Sequence, residues 1–206
     1  MGCITYLCGT IPQRMTTQWL FNEVATITER NIHLLKGKFA SLSSAQLQWK
    51  PNKDSWSIAE VFAHLNAYAE YYHPAFFDRM EKTRFTTPRE VFNSSPLGRS
   101  AWQSMKLGKQ QNVKRKFNAP KNYNPMINMS LTSGEEVSEL LTRQQELLNV
   151  LEKAVAVNLR KVKVPISISK IIRLRLGDAL LFVAYHNERH MQQAINLTKL
   201  PNFPKK

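Results

Sequence analysis

Residues 177–200 read GDALLFVAYHNERHMQQAINLTKL, and their spacing decides the fold. Ala179, Phe182, Val183, His186, His190 and Gln193 share or border one face of a helix. Gly177 and Asp178 open the segment, and Pro201 stops it for want of a backbone amide. His186 and His190 are one turn apart, about 40 degrees round the axis, so both imidazoles project from the buried side.

Working outward, three more segments carry the same period. The first spans about Thr17 to Ser41, with Leu20, Val24, Ile27, Leu34, Leu35 and then Leu42 on one stripe, and ends in the Ser-rich stretch 41–44. The second starts at Ser57 with Glu60 three residues on, a pairing in which hydroxyl and carboxylate satisfy orphan amides reciprocally. Its stripe is Val61, His64, Leu65, Tyr68 and Tyr72, ending near Met80 with a kink expected at Pro74. A second such box, Ser133 with Glu136, predicts the third helix, with Val137, Leu140, Leu141, Gln144, Leu147, Leu148, Leu151 and Val155 inward. About fifty residues rich in Pro, Asn, Ser and Lys separate the second helix from the third, too many for a hairpin loop. Bundles with parallel neighbours need such connections. The expectation is therefore an all-α four-helix bundle with a long crossover over 82–132. Val162, Val164, Ile166 and Ile168 alternate with basic or small residues, which predicts a short extended segment before the fourth helix.

A chain of 206 residues, 43% of them apolar, suits one core, so residues 15–206 are expected to form a single domain. Residues 1–14 are expected to be a poorly ordered extension, with Met15 an alternative start to Met1. Cys3 and Cys8 have no His nearby and form neither a metal knuckle nor a disulfide framework. The N-terminus lacks the pattern of a secretory signal. The longest apolar run, 179–185, is far short of the roughly 20 residues that span a bilayer. A cytoplasmic protein with no membrane partner is expected.

The formal charge of +14 is concentrated in two places. Residues 82–121 hold ten basic residues and one acid, and residues 153–175 hold seven basic residues and none. The strongly periodic parts are close to neutral. The basic segments read either as solvated connections or as an electropositive rim for a small anionic substrate or a nucleic acid. Lys114, Arg115 and Lys116 beside Phe117 are the best candidates for the last, although no nucleic-acid fold motif accompanies them.

The histidines sort by face. His64 lies within the second stripe; His73, nine residues on, falls on the opposite side; His33 has no partner at ligand spacing. A buried histidine can be a hydrogen-bonded core residue. Three in one apolar bundle are costly unless something satisfies them, which makes His64, His186 and His190 candidate metal ligands. The residue after His186 is Asn187, and Glu188 projects away from the pair, so the zincin motif is missing. Nor do two Glu-x-x-His motifs suggest a di-iron site. Trp49 and Trp56 read as packing residues at the entrance of the second helix.

Taken together, Trp49, Pro51, Trp56-Ser57-Ile58-Ala59-Glu60, His64-Leu65, Gly177-Asp178-Ala179-Leu180-Leu181, His186, Arg189, His190 and Gln193 resemble the DinB-like superfamily over about residues 17–200. The resemblance implies a four-helix bundle, often a homodimer, holding one divalent ion, commonly zinc or nickel, by His64, His186 and His190. It implies one of two activities. The favoured one is thiol-dependent transfer, with a low-molecular-weight thiol as cosubstrate and a small molecule as electrophile. The other is metal-dependent hydrolysis by metal-bound hydroxide. A non-catalytic binding module stays open beside them.

Overall fold

The Thr16 hydroxyl accepts the amide of Trp19 at 3.0 Å and starts helix α1, Thr17–Leu34, which widens into a π-helical turn over Leu35–Phe39. A short α2, Ser44–Gln48, carries its own capping box between Ser43 and Gln46. Helix α3, Ile58–Glu81, begins at the expected box: the Glu60 amide donates to Ser57 Oγ at 3.1 Å, and the Ser57 amide donates to Glu60 Oε2 at 2.8 Å. It continues past Pro74 to Glu81. The crossover then contains α4, Pro96–Met105, and two short 3-10 turns, Lys121–Tyr123 and Met129–Leu131. Helix α5, Glu136–Ala154, strands β1, Lys163–Ile166, and β2, Ser169–Arg175, and helix α6, Leu176–Leu197, complete the chain. This computed structural model describes residues 15–110, 112 and 117–205; the expected extension 1–14, both cysteines and Lys114–Lys116 lie outside them. Among the described residues the fold is all-α with one small hairpin.

Two local expectations are corrected. The box at Ser133 forms only in part: the Glu136 carboxylate accepts the amides of Ser133 and Gly134, but the Ser133 hydroxyl accepts from Glu135. Gly134, at φ 89°, turns through the left-handed region that glycine tolerates best, and delays the helix to Glu136. On α5 the stripe runs through Val150 and Ala154, leaving Val155 54% exposed. The expected extended segment forms as β1 and pairs antiparallel with β2, Lys163 to Pro165 against Arg175 to Arg173.

Side-chain pairs between the four long helices give their directions. Asn66 bonds Glu136 and Glu139, and seven residues on His73 bonds Glu146, so α3 and α5 run parallel. Glu23 accepts from Tyr185 and Glu188 pairs with Arg30, so α1 and α6 run parallel as well. His64 meets His186 and Tyr72 meets Phe182, which makes α3 and α6 antiparallel. The parallel pair α3/α5 is the one joined by the long crossover, as its length requires. Two apolar clusters fill the bundle, one around Leu20, Phe76 and Leu180 and one around Phe39, Phe62 and Leu140. Asn31 donates to Gln144 at 3.3 Å, a buried polar pair that bridges α1 and α5.

The crossover is fastened to the start of α6. The fully buried Asp178 accepts both the amide and the hydroxyl of Ser95, at 3.0 and 2.9 Å, and Ser95 in turn caps α4 by accepting the Gly98 amide. Helix and carboxylate approach so closely that a Cβ on Gly98 would lie 2.1 Å from Asp178 Cγ. A Cβ on Gly177 would meet the Phe92 ring at 2.6 Å. The Gly-Asp pair thus docks the crossover through one absent side chain and one buried carboxylate. Gly98→Ala is expected to lower unfolding stability by about 1–3 kcal/mol in urea titrations. Gly37→Ala, whose added Cβ meets nothing within 4 Å, should be neutral or raise stability by up to about 1 kcal/mol. Equal losses at the two positions would contradict the close-approach account.

Candidate metal centre

A buried imidazole must place two ring nitrogens, one a donor and one an acceptor. His186 and His190 come from successive turns of α6, and His64 reaches them from antiparallel α3. The ring centroids are 5.1 Å apart for His64 and His186, 4.7 Å for His64 and His190, and 4.6 Å for His186 and His190. One ring nitrogen from each lies within 4.8 Å of the other two. His64 Nε2 and His186 Nε2 are 3.2 Å apart, close to the roughly 3.3 Å separating two imidazole ligands of one tetrahedral zinc.

Two outward nitrogens are held by partners that set the tautomer. The Tyr123 carbonyl, which can only accept, lies 2.5 Å from His64 Nδ1, so that nitrogen carries the proton and Nε2 presents a lone pair. His190 Nδ1 donates to Gln193 Oε1 at 3.0 Å, with the same result for its Nε2. Orienting partners of this kind are the usual second layer of a metal-binding histidine. Burial pulls His64 down to about 4, against the opposing hydrogen bond to the Tyr123 carbonyl. Burial first, and then the charges of neighbouring histidines and Arg189, push His186 and His190 well below the ordinary range. All three are neutral at pH 7, the protonation state that metal binding requires.

Aromatic rings enclose the cluster. Trp56 lies 5.0 Å from His64 and stacks on His190 at 6.1 Å, so it packs against the site itself. Tyr68 lies 4.4 Å from His186, and Phe182 stacks on the same ring at 5.7 Å. Tyr123 closes over Tyr68 at 4.6 Å. The Tyr68 phenol is raised to about 12, chiefly by burial, and stays protonated.

The remaining candidates fall outside the cluster. His73 is buried on the α5 side of α3, where its Nδ1 sits 3.1 Å from Glu146 Oε2. His33 is exposed on α1. Trp49 packs edge-on against Phe203. Glu188 does point away from the histidines, but it is only 14% exposed and pairs with Arg30 between α6 and α1. The cluster contains no carboxylate. Sequence reasoning missed Tyr123: its part is played by a backbone carbonyl, which any residue type could supply.

A family model described as the DinB superfamily matches residues 27–194, which include all three histidines. Neither curated proteins nor solved structures give a match. The chain belongs to the DinB superfamily.

Alanine at His64, His186 or His190 should each abolish retention of zinc or nickel through gel filtration, whereas His73→Ala should keep it. Gln193→Leu, which frees His190 to rotate, should weaken metal affinity by about 10–100-fold in a chelator competition. The metal-free protein should also be acid-sensitive. In the unfolded chain His64 titrates at its ordinary 6.5, in the folded chain at about 4, so below pH 6.5 the unfolded state binds more protons. Stability is full above that value and falls toward pH 4, by an amount on the order of 3 kcal/mol from His64 alone, with His186 and His190 acting in the same direction. Urea midpoints measured across this range check the slope.

Proposed function

We propose that this member of the DinB superfamily is an enzyme in which His64, His186 and His190 hold one divalent ion, zinc or nickel, and that it transfers a low-molecular-weight thiol to an electrophile. The observation that carries this reading is the cluster of three neutral imidazoles with no carboxylate among them. Sites with three protein ligands leave a position open for water or substrate, unlike closed structural sites. A divalent ion bound there supplies Lewis acidity that holds a thiol as thiolate or lowers the pKa of water near 7.

The protein's own groups divide the remaining work. Tyr123 and Gln193 keep the inward nitrogens of His64 and His190 free of protons. Trp56, Tyr68 and Phe182 surround the imidazoles with ring faces and limit their rotation and hydration. Arg189 is near enough to depress both His186 and His190, and its charge favours an anionic substrate. Hydrolysis is the second reading. It asks for a group to accept a proton from water, and the cluster offers no carboxylate for that role, so thiol transfer is preferred. The reading includes a cytoplasmic setting, where low-molecular-weight thiols stay reduced, and a homodimer, as the family resemblance implies.

Elemental analysis of protein purified without chelator should find about one equivalent of zinc or nickel per chain in the wild type and little in His190→Ala. The loaded protein should then consume low-molecular-weight thiols together with an alkylating electrophile, and His190→Ala should not. Ester hydrolysis without thiol would favour the second reading. No metal after reconstitution with either ion would make the cluster structural.

A further inference from the structure

We propose that the β1–β2 hairpin is a peripheral docking surface for an anionic lipid bilayer, with its isoleucine tip entering the headgroup region and its cations pairing with lipid phosphates. This goes beyond the metal centre and does not depend on it.

The end of this hairpin exposes large apolar side chains. Ile168 in the two-residue turn, where Gly, Asn or Asp would be the usual choice, is 66% exposed, and Ile171 and Ile172 in the first half of β2 are 90% and 43% exposed. The tip nevertheless has a definite shape. Ser169 Oγ accepts the amides of Ile171 and Ile172 at 3.3 and 3.2 Å. Tyr71 donates to the Ile166 carbonyl at 3.0 Å, and the Ser167 amide donates to the Tyr72 hydroxyl at 3.3 Å. Val164 and Leu174 bury the inner face, so alternation turns Lys163 and Arg173 outward, and Ile171 stands out from the irregular stretch between the regular pairing and the turn. The hairpin is a fixed projection, apolar at its end and basic along its outer side.

The charges on this projection work against its own stability. Lys163 lies directly opposite Arg175, a like-charge pairing that weakens an antiparallel ladder. The Arg175 guanidinium turns aside to the Asn93 carbonyl. Lys163 and Arg173 are exposed, and among the described residues neither has an acidic partner. No Asp or Glu occurs anywhere in 153–175. A second copy docked face to face about a two-fold axis would bring these cations together. A nucleic acid would satisfy them but leave the isoleucines wet, and 153–175 contains no aromatic side chain for a base to stack on. An anionic bilayer surface accepts both components, since apolar side chains enter the acyl boundary while Lys and Arg meet lipid phosphates. This departs from the expectation of no membrane partner, which rested on the lack of a spanning segment; lying against a bilayer is distinct from crossing it, and among the described residues no helix is long and apolar enough to cross.

The test is co-sedimentation of the full chain with phosphatidylcholine vesicles, with and without phosphatidylglycerol. Binding is expected only with phosphatidylglycerol and should fall as salt screens the cations. Ile168→Ser with Ile171→Ser, and separately Lys163→Glu with Arg173→Glu, should each weaken it by about tenfold or more. Circular dichroism melts and metal content matching the wild type would show that these surface changes leave the fold intact. Ile171→Trp should bind like the wild type and gain emission that brominated acyl chains quench, which reports the tip itself. Equal binding to neutral vesicles, undiminished binding by either double variant, or absence of tip quenching would overturn the proposal. Displacement of the protein from vesicles by a short DNA duplex, with no quenching at residue 171, would replace the bilayer with nucleic acid.

Discussion

Three imidazoles drawn together between two antiparallel helices, His64 and His186 buried and His190 half-buried, are the constraint on which the rest of this molecule depends. Each carries a donor and an acceptor that cost free energy when buried without partners. The fold answers by anchoring the outward nitrogens of His64 and His190 and turning the inward ones toward a common centre. Burial also keeps the rings neutral at pH 7. The interactions that make the site possible are therefore the ones that make the metal-free bundle vulnerable to acid.

Assembly of that site requires parts far apart in the chain. The crossover contributes the Tyr123 carbonyl, and it is held on the bundle by Asp178, which bonds Ser95 and lies against Gly98. Asp178 belongs to the same helix as His186 and His190. One helix thus supplies two candidate ligands and also the clamp for the segment that orients the third. The parallel course of α3 and α5 follows from the same connection, since only a long crossover returns the chain to the end from which α3 started.

The bundle was legible because amphipathic helices advertise themselves locally. Leu20, Val24 and Ile27, or Leu140, Gln144 and Leu147, repeat at the helical period, and all six are buried. The Ser57–Glu60 box marked a helix start for the same reason, because both partners lie within one turn. The box at Ser133 was less reliable, since the left-handed conformation of Gly134 reroutes the hydroxyl and no sequence spacing records a backbone angle. Helix α4 is only ten residues long inside a Pro- and Ser-rich stretch, too short to stand out from the crossover; much of its anchorage is tertiary, through Asp178.

Read alone, the sequence determined the four long helices, most of the faces they bury, and that His64, His186 and His190 each point inward. Those properties depend on spacing along one helix, where geometry is nearly constant. Only the tertiary structure decided that the three rings meet, that Trp56 stacks on the site, and that Tyr123 orients His64 with a backbone atom. It also placed His73 against Glu146 and Glu188 against Arg30, although helical phase alone left both without partners. The physical reason is that periodicity fixes the angle of a side chain about its own axis. It carries no information about which neighbouring helix fills that angle, at what height, or in which direction it runs.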